Sequence, residues 1–289
     1  MTPWRRTADP ASRLAVRTLE PADRDAALEL CLRDPVASVL AGGYVETLGI
    51  HPVQQQLLGV FDGPSLVALC WAGANLVPVG AGPAAVAALA DAQRRRGRRC
   101  SSIVGSAAPV LGLWDLLRQA WSPARDVRTD QPSLAITQEP SVPSDPQVRR
   151  SGPEDFDILF PACVAMFTEE VGYSPTLAGA SYQARVRELV EHGRSFVWID
   201  EGPQGRRLVF KAELGAVALG VAQVQGVWVP PDLRGQGLAK AGMAAVARAA
   251  LRDVAPTVSL YVNGYNAPAL AVYERVGFRR VGTYATVLF

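Results

Sequence analysis

The sequence predicts an α/β (α+β) chain built from two related domains, and three observations carry that expectation. The motif Val-Arg-x-x-x-Pro-x-Asp occurs twice, at 16–23 and at 148–155. A strand running into a polar turn recurs as well, at 58–63 and again at 196–202. Between the halves, 138–146 holds Pro140, Pro143 and Pro146 among small polar residues, a composition that suits a linker. Repetition at this scale predicts two units of similar size, 11–137 and 148–289, joined by 138–147.

The elements follow in order. Each copy of the repeat reads as a first strand followed by a helix whose acidic start favours the positive dipole end. Residues 63–90 carry no charge and are long enough to cross a bilayer. Pro64, Gly73, Asn75, Pro78, Gly80, Gly82 and Pro83 interrupt them, so strands and a turn are expected there instead of a membrane helix. Leu76 begins a strand, a turn and a helix from Ala84 to about Gln93, and a strand follows near 101–104. Gly80-x-Gly82-x-x-Ala85 matches a dinucleotide fingerprint by letter, but that strand ends without the ribose-binding acid. Arg94, Arg95, Arg96, Arg98 and Arg99 form a basic cluster at the helix C-terminus, where positive charge complements the dipole; a phosphate of a cofactor or an acidic partner is the sharper alternative.

In the second half, Phe210 and Ala212 should face opposite Lys211 and Glu213 on one strand. The next strand runs over 221–229 and breaks at Pro230 and Pro231, which cannot donate to a ladder; Gly226 marks a bulge. A glycine turn follows, then a helix from Leu238 to about Arg252 with Lys240, Arg248 and Arg252 on one side and Leu238, Gly242, Ala245, Val246 and Ala249 on the other. Val258, Leu260 and Val262 alternate as a strand. Asn266 caps a helix over about 267–276, Pro268 sits in its first turn, and Gly277 suits its left-handed end.

Composition narrows the function classes. A chain of 289 residues with 49% hydrophobic content and a net charge of +2 supports sizeable cores and suggests neither nucleic acid nor an acidic membrane as partner. The four cysteines, at 31, 70, 100 and 163, have no metal or redox spacing, and His51 and His192 have no ligand-like company, so no metal site is expected. Trp71, Trp114, Trp121, Trp198 and Trp228 read as core. The N-terminus lacks the apolar stretch of a signal peptide, and a cytoplasmic location is the expectation.

The turn at 234–239 carries the chemistry. Gly235 and Gly237 let the backbone approach a ligand, and the helix opening at Leu238 offers unpaired amides and a positive dipole end, which together seat a phosphate. No P-loop string is present, and a dinucleotide fingerprint fails at Lys240. Arg234-x-x-Gly237-x-Ala239 resembles the acetyl-CoA pyrophosphate loop of the GNAT N-acetyltransferase superfamily. Asn266-x-x-Ala269-x-x-x-Tyr273-Glu274-x-x-Gly277-Phe278 resembles the same superfamily and is the more specific pattern.

That resemblance implies two GNAT-like domains, each a mixed, mainly antiparallel sheet flanked by helices, with the second catalytic and the first degenerate. It implies direct attack of an amine on the thioester of acyl-CoA, most simply acetyl-CoA as co-substrate. The amides of Arg234, Gly235, Gln236, Gly237, Leu238 and Ala239 would seat the pyrophosphate, the backbone of Val227 and Val229 the pantetheine arm, and Asn263 and Asn266 would add cofactor contacts. Asn266 and Tyr273, seven apart, share a helix face. Tyr273 matches the position that donates a hydrogen bond to the departing sulfur. For the general base, relatives often place a carboxylate on the strand before the loop, but here that strand offers only Gln223 and Gln225; Glu213, Glu169 and Glu170 are the substitutes. The acceptor is an amine on a small molecule or a peptide. Two rival readings stand beside this one: a CoA-binding regulatory module without turnover, and a small-molecule acetyltransferase similar to the mycothiol synthases in having two GNAT-like halves.

Overall fold

The computed structural model describes residues 14–50, 56–203 and 205–289. His51 and the first thirteen residues, on which expectations about metal binding and a leader were formed, lie outside them. The chain divides into two compact units. The first runs to Pro132 and includes Gly282–Phe289; the second is Ser133–Val281.

In the first unit β1 (Leu14–Thr18), β2 (Leu57–Asp62), β3 (Ser65–Ala72) and β4 (Asn75–Val79) pair antiparallel in that order. Strand β4 then runs parallel to β5 (Ser102–Ser106), but only over Asn75 and Leu76. Residues 284–288 pair antiparallel with β5 on its other side. Its helices are α1 (Arg24–Leu32), α2 (Pro35–Glu46), α3 (Pro83–Arg96) and α4 (Ala107–Leu117). The apolar sides of α3 and α4, with Val86, Leu89, Val110 and Leu113, bury against Val60, Ile103, Ala285 and Val287. Helix α3 extends three residues past the expected end because Gly97, at φ +71°, supplies the stop.

In the second unit the end of β6 (Asp126–Ile136) pairs with β11 (Thr257–Tyr261), which is parallel to β10 (Val221–Trp228). Antiparallel pairing continues through β9 (Gly205–Ala218), β8 (Ser195–Gly202) and the short β7 (Arg149–Arg150). Helices α5 (Phe156–Val171) and α6 (Ser181–Glu191) precede β8, α7 (Leu238–Asp253) joins β10 to β11, and α8 (Ala267–Val276) precedes β12 (Arg279–Leu288). Both units therefore carry mixed, mainly antiparallel sheets flanked by helices, with the same order of elements. Strand, two helices, three strands, helix, strand, helix, strand occurs twice.

The sequence repeat has a structural cause. Arg17 forks onto Asp23 at 2.6 and 2.8 Å, and Arg149 onto Asp155 at 2.6 and 2.9 Å. Each aspartate also accepts the backbone amide three residues earlier, from Glu20 and from Gly152, and so fastens the first strand to the turn that opens the first helix. Arg206 adds a further bond to Asp155 at 2.6 Å, and these cations hold its buried carboxyl at about 2.

Two expectations need correction. Val148 lies outside the two-residue β7, because the repeat is kept by the Arg–Asp fork rather than by strand length. In the first unit α4 stands where α8 stands in the second: its apolar Val110, Leu113 and Leu117 make the helix without the letters of the 266–277 block. The buried stripe of α7 is centred on Met243, Val246, Ala247 and Ala250, with Gly242 set against the Phe210 ring, so the helix is turned from the face assigned by hydropathy; alanines on every side left that face poorly marked. Residues 138–147 form no helix or strand. Arg248 of α7 holds them, donating to the Ser144 hydroxyl at 2.6 Å and the Pro140 carbonyl at 2.7 Å. Among the described residues no helix is long and apolar enough to cross a membrane.

Candidate active site

The second unit opens where β10 and β11 part. Their parallel pairing covers Val221–Gln223 against Thr257–Ser259 and goes no further. Against β9, the register of β10 shifts between Gln225 and Trp228, with Gly226 at φ +58° in the shift. The bulge read from Gly226 is therefore present, and it turns the β10 backbone away from its neighbour as the strand approaches Pro230.

A buried cation holds the bulge. Lys211 has no exposed surface, and its Nζ donates to the Gly226 carbonyl at 3.0 Å and lies 3.3 Å from Glu213 Oε2. Burial alone would lower the Lys211 ammonium; the attraction of Glu213, with Cys163 beside it, outweighs that and holds it above its ordinary value. A Cβ on Gly226 would stand 2.8 Å from Glu213 Cδ and 3.0 Å from Lys211 Nζ, so glycine is required there for space as well as for φ. Lys211 and Glu213 do face away from Phe210 and Ala212, which lie in the core with Phe196. The complete burial of Lys211 went unread in the sequence.

Past Pro230 a short turn over Pro231–Leu233 leads into Arg234. Gly235 at φ +81° and Gly237 at φ +79° both lie in the left-handed region, and nothing stands within 4 Å of where a Cβ would project from either. Gly237 is the N-cap of α7, and no side chain caps the helix. The amides of Leu238 and Ala239 precede the first intrahelical hydrogen bond, Lys240 N to Gly237 O at 3.1 Å. The main chain of the turn is thus presented bare at the positive end of a sixteen-residue helix.

The Arg234 side chain serves a different end. It forks onto Glu169 at 2.7 and 2.7 Å and donates through Nε to the Val229 carbonyl at 3.0 Å, while Trp228 Nε1 reaches Glu169 at 3.2 Å. Glu169, near the end of α5, therefore ties the turn to that helix. The hydrogen bonds from Arg234 hold its carboxyl below the usual range. Of the three substitute carboxylates, Glu169 is engaged by Arg234 and Glu213 by Lys211. Glu170 accepts from the neutral Asn263 amide at 3.3 Å.

Helix α8 spans the expected 267–276. The Asn266 side chain accepts the Ala269 amide at 3.2 Å, Pro268 sits in the first turn, and Gly277 ends the helix at φ +118°. Asn266 Oδ1 is thereby occupied as a cap. Tyr273 is buried, its ring edge-on to Phe278 with centroids 6.0 Å apart. Among the described residues no hydrogen bond engages its hydroxyl. Burial, then the nearby Glu170 charge, push the phenol well above its ordinary value, so it is held as a donor. Where β10 and β11 still pair, Gln223 lies opposite Ser259; Gln225 donates to Gln223 at 3.0 Å, and the buried Ser259 hydroxyl has no partner among the described residues.

Comparison with known proteins agrees with this architecture. A family model described as acetyltransferase (GNAT) family matches residues 167–278, and a domain of unknown function (DUF4081) matches 55–159. The chain is similar to a mycothiol acetyltransferase of Tsukamurella paurometabola, 30% identical over 258 residues that cover 80% of this chain and 87% of that one. In fold it is similar to a GCN5-related N-acetyltransferase from Sphaerobacter thermophilus, with TM-score 0.61, 20% identity and 96% and 95% of the two chains covered. A tandem GNAT protein from the clavulanic acid biosynthesis pathway superposes with TM-score 0.50 at 15% identity, covering 94% of this chain and 98% of that one. The chain belongs to the GNAT acetyltransferase family.

Proposed function

We propose that the second unit transfers an acetyl group from acetyl-CoA to a primary amine on a small molecule. The observation that carries this reading is the bare, doubly left-handed turn at Gly235 and Gly237, placed at the end of a strand that has just left its parallel neighbour. Amides of 234–239 would receive the diphosphate. The unladdered edge at Val227 and Val229 would receive the pantetheine arm in strand-like pairing, which brings the thioester toward the gap between β10 and β11.

The amine attacks the thioester carbon, the carbon–sulfur bond breaks, and the amine's proton leaves. Tyr273, kept protonated by burial, would donate to the departing sulfur. An alkylammonium must first lose a proton, and Glu170 is the carboxylate we assign to this step. It lies close enough to Tyr273 to raise the phenol, and its Asn263 partner is neutral. In this scheme Glu169 and Lys211 are positioning residues: the first fixes the turn through Arg234, the second fixes the Gly226 bulge.

The acceptor class follows from similarity extending through both halves to a relative named for mycothiol, which favours an amino-sugar cysteine conjugate over a protein lysine. The test is a thiol-release assay with acetyl-CoA and a panel of amines that includes such a conjugate. Turnover with the conjugate and not with peptides is expected. Binding of CoA without thiol release from any amine would replace this reading with the regulatory module. Unchanged CoA affinity in Gly237→Glu, measured by calorimetry, would remove the seat altogether.

A further inference from the structure

The first unit contains a cleft of about 590 Å³ lined by Thr18, Gln56, Gly73, Gln93, Arg96 and Arg99, with Ala72, Leu76 and Cys100 as apolar wall. Among the described residues no carboxylate lines it. Of the five arginines clustered at the end of α3, two are occupied elsewhere. Arg94 pairs with Asp91 at 2.7 Å and with the Leu116 carbonyl at 2.6 Å, and Arg98 lies over the Phe289 ring and donates to the Cys100 carbonyl at 2.9 Å. Arg95 does not line the cleft. Arg96 and Arg99 do, and neither has an ion pair or a hydrogen bond among the described residues.

A second, independent observation points the same way. Gln93, 5% exposed, lines the cleft, and among the described residues its buried Nε2 has no hydrogen-bond partner. A buried amide donor left unpaired costs about 1–3 kcal/mol, so its presence calls for an acceptor. The helix end contributes only about half a negative charge there, against two full positive ones. The surplus is positive, and the donors are those of an oxyanion site: two guanidinium forks, an amide and the Thr18 hydroxyl.

We propose that this cleft binds the phosphate or diphosphate group of a small metabolite. Its volume lies within the range of small-ligand pockets, about 300–1,000 Å³, and the near-balanced charge of the whole chain, +2, argues against a nucleic acid strand as occupant. Planar guanidinium groups take phosphate oxygens two at a time, and Gln93 reaches an oxygen they leave.

Inorganic pyrophosphate is the probe, titrated calorimetrically into the full chain at fixed ionic strength. Arg96→Ala/Arg99→Ala is expected to weaken binding roughly tenfold per arginine with an unchanged melting temperature, and Gln93→Leu by about fivefold with a melting temperature that is raised, since the unpaired donor is gone. Arg95→Ala/Arg118→Ala removes the same charge outside the cleft and should leave binding intact. Because pyrophosphate also suits the 234–239 turn, Gly237→Glu separates the two sites: binding in the cleft persists in that variant. The proposal is overturned if Gly237→Glu abolishes all pyrophosphate binding, if Arg96→Ala/Arg99→Ala leaves it unchanged, or if Arg95→Ala/Arg118→Ala weakens it equally.

Discussion

Replacing Lys211 by methionine removes the charge beneath the Gly226 bulge and keeps most of the side-chain volume. Breaking a buried ion pair from one side costs about 3–5 kcal/mol, because the remaining charge is stranded. Here Glu213 keeps 16% of its side-chain surface, so water recovers part of that, and a loss of about 2–3 kcal/mol is expected. The Gly226 carbonyl loses its charged donor in the same stroke. For a unit of this size the drop corresponds to roughly 4–12 °C in melting temperature. The pH dependence has a definite sign. A lysine held above its ordinary value in the folded state contributes fully below the unfolded value and loses that contribution as pH rises through the folded one. Wild type and Lys211→Met should therefore differ by a constant amount from pH 6 to 9, measured by urea unfolding, and converge only in strong alkali. Lys211→Met/Glu213→Gln should recover about half the loss or more. If the double variant is no more stable than the single one, the stranded Glu213 charge is not the cause and the account of the bulge fails. Acetyl-CoA KM should rise in Lys211→Met, since β10 would lose the support of its Gly226 bulge.

Tyr273→Phe should lower kcat for acetyl transfer by at least about tenfold while acetyl-CoA affinity by calorimetry stays within about twofold; equal turnover would leave the tyrosine as core packing against Phe278. Asp155, held at about 2, contributes stability that is present above the unfolded aspartate value and is lost as pH falls from about 4 through 2. Asp155→Asn should thus flatten acid unfolding in that window and cost about 2 kcal/mol at neutral pH by urea melts. Asn266→Ala should destabilise the second unit by about 1 kcal/mol through loss of the α8 cap, an effect that glycine at the same position would mostly repair.

Much of this was legible in the letters because it depends on local backbone chemistry. Gly235 and Gly237 form the tight turn read from them, both with positive φ, and α8 begins and ends at the cap residues read for it. The Val-Arg-x-x-x-Pro-x-Asp repeat was visible, but its reason was not: the Arg149–Asp155 fork needs strand and turn brought together. Long-range partnerships were illegible for the same cause. Nothing in the sequence said that Arg234 would spend its guanidinium on Glu169, sixty-five positions earlier, or that Lys211 would be wholly buried between Glu213 and a carbonyl of the next strand. The buried face of α7 was misjudged because alanine marks neither side of a helix strongly.

In the first unit β5 acquires its second neighbour from residues 284–288, which follow the whole of the second unit in the chain. On the ribosome this unit must wait, with the edge of β5 uncovered, until everything through Leu288 has been synthesised. The pairing on that side of β5 can therefore form only after the whole of the second unit has been translated, and a single cut between the two halves of the gene would leave the first half without it.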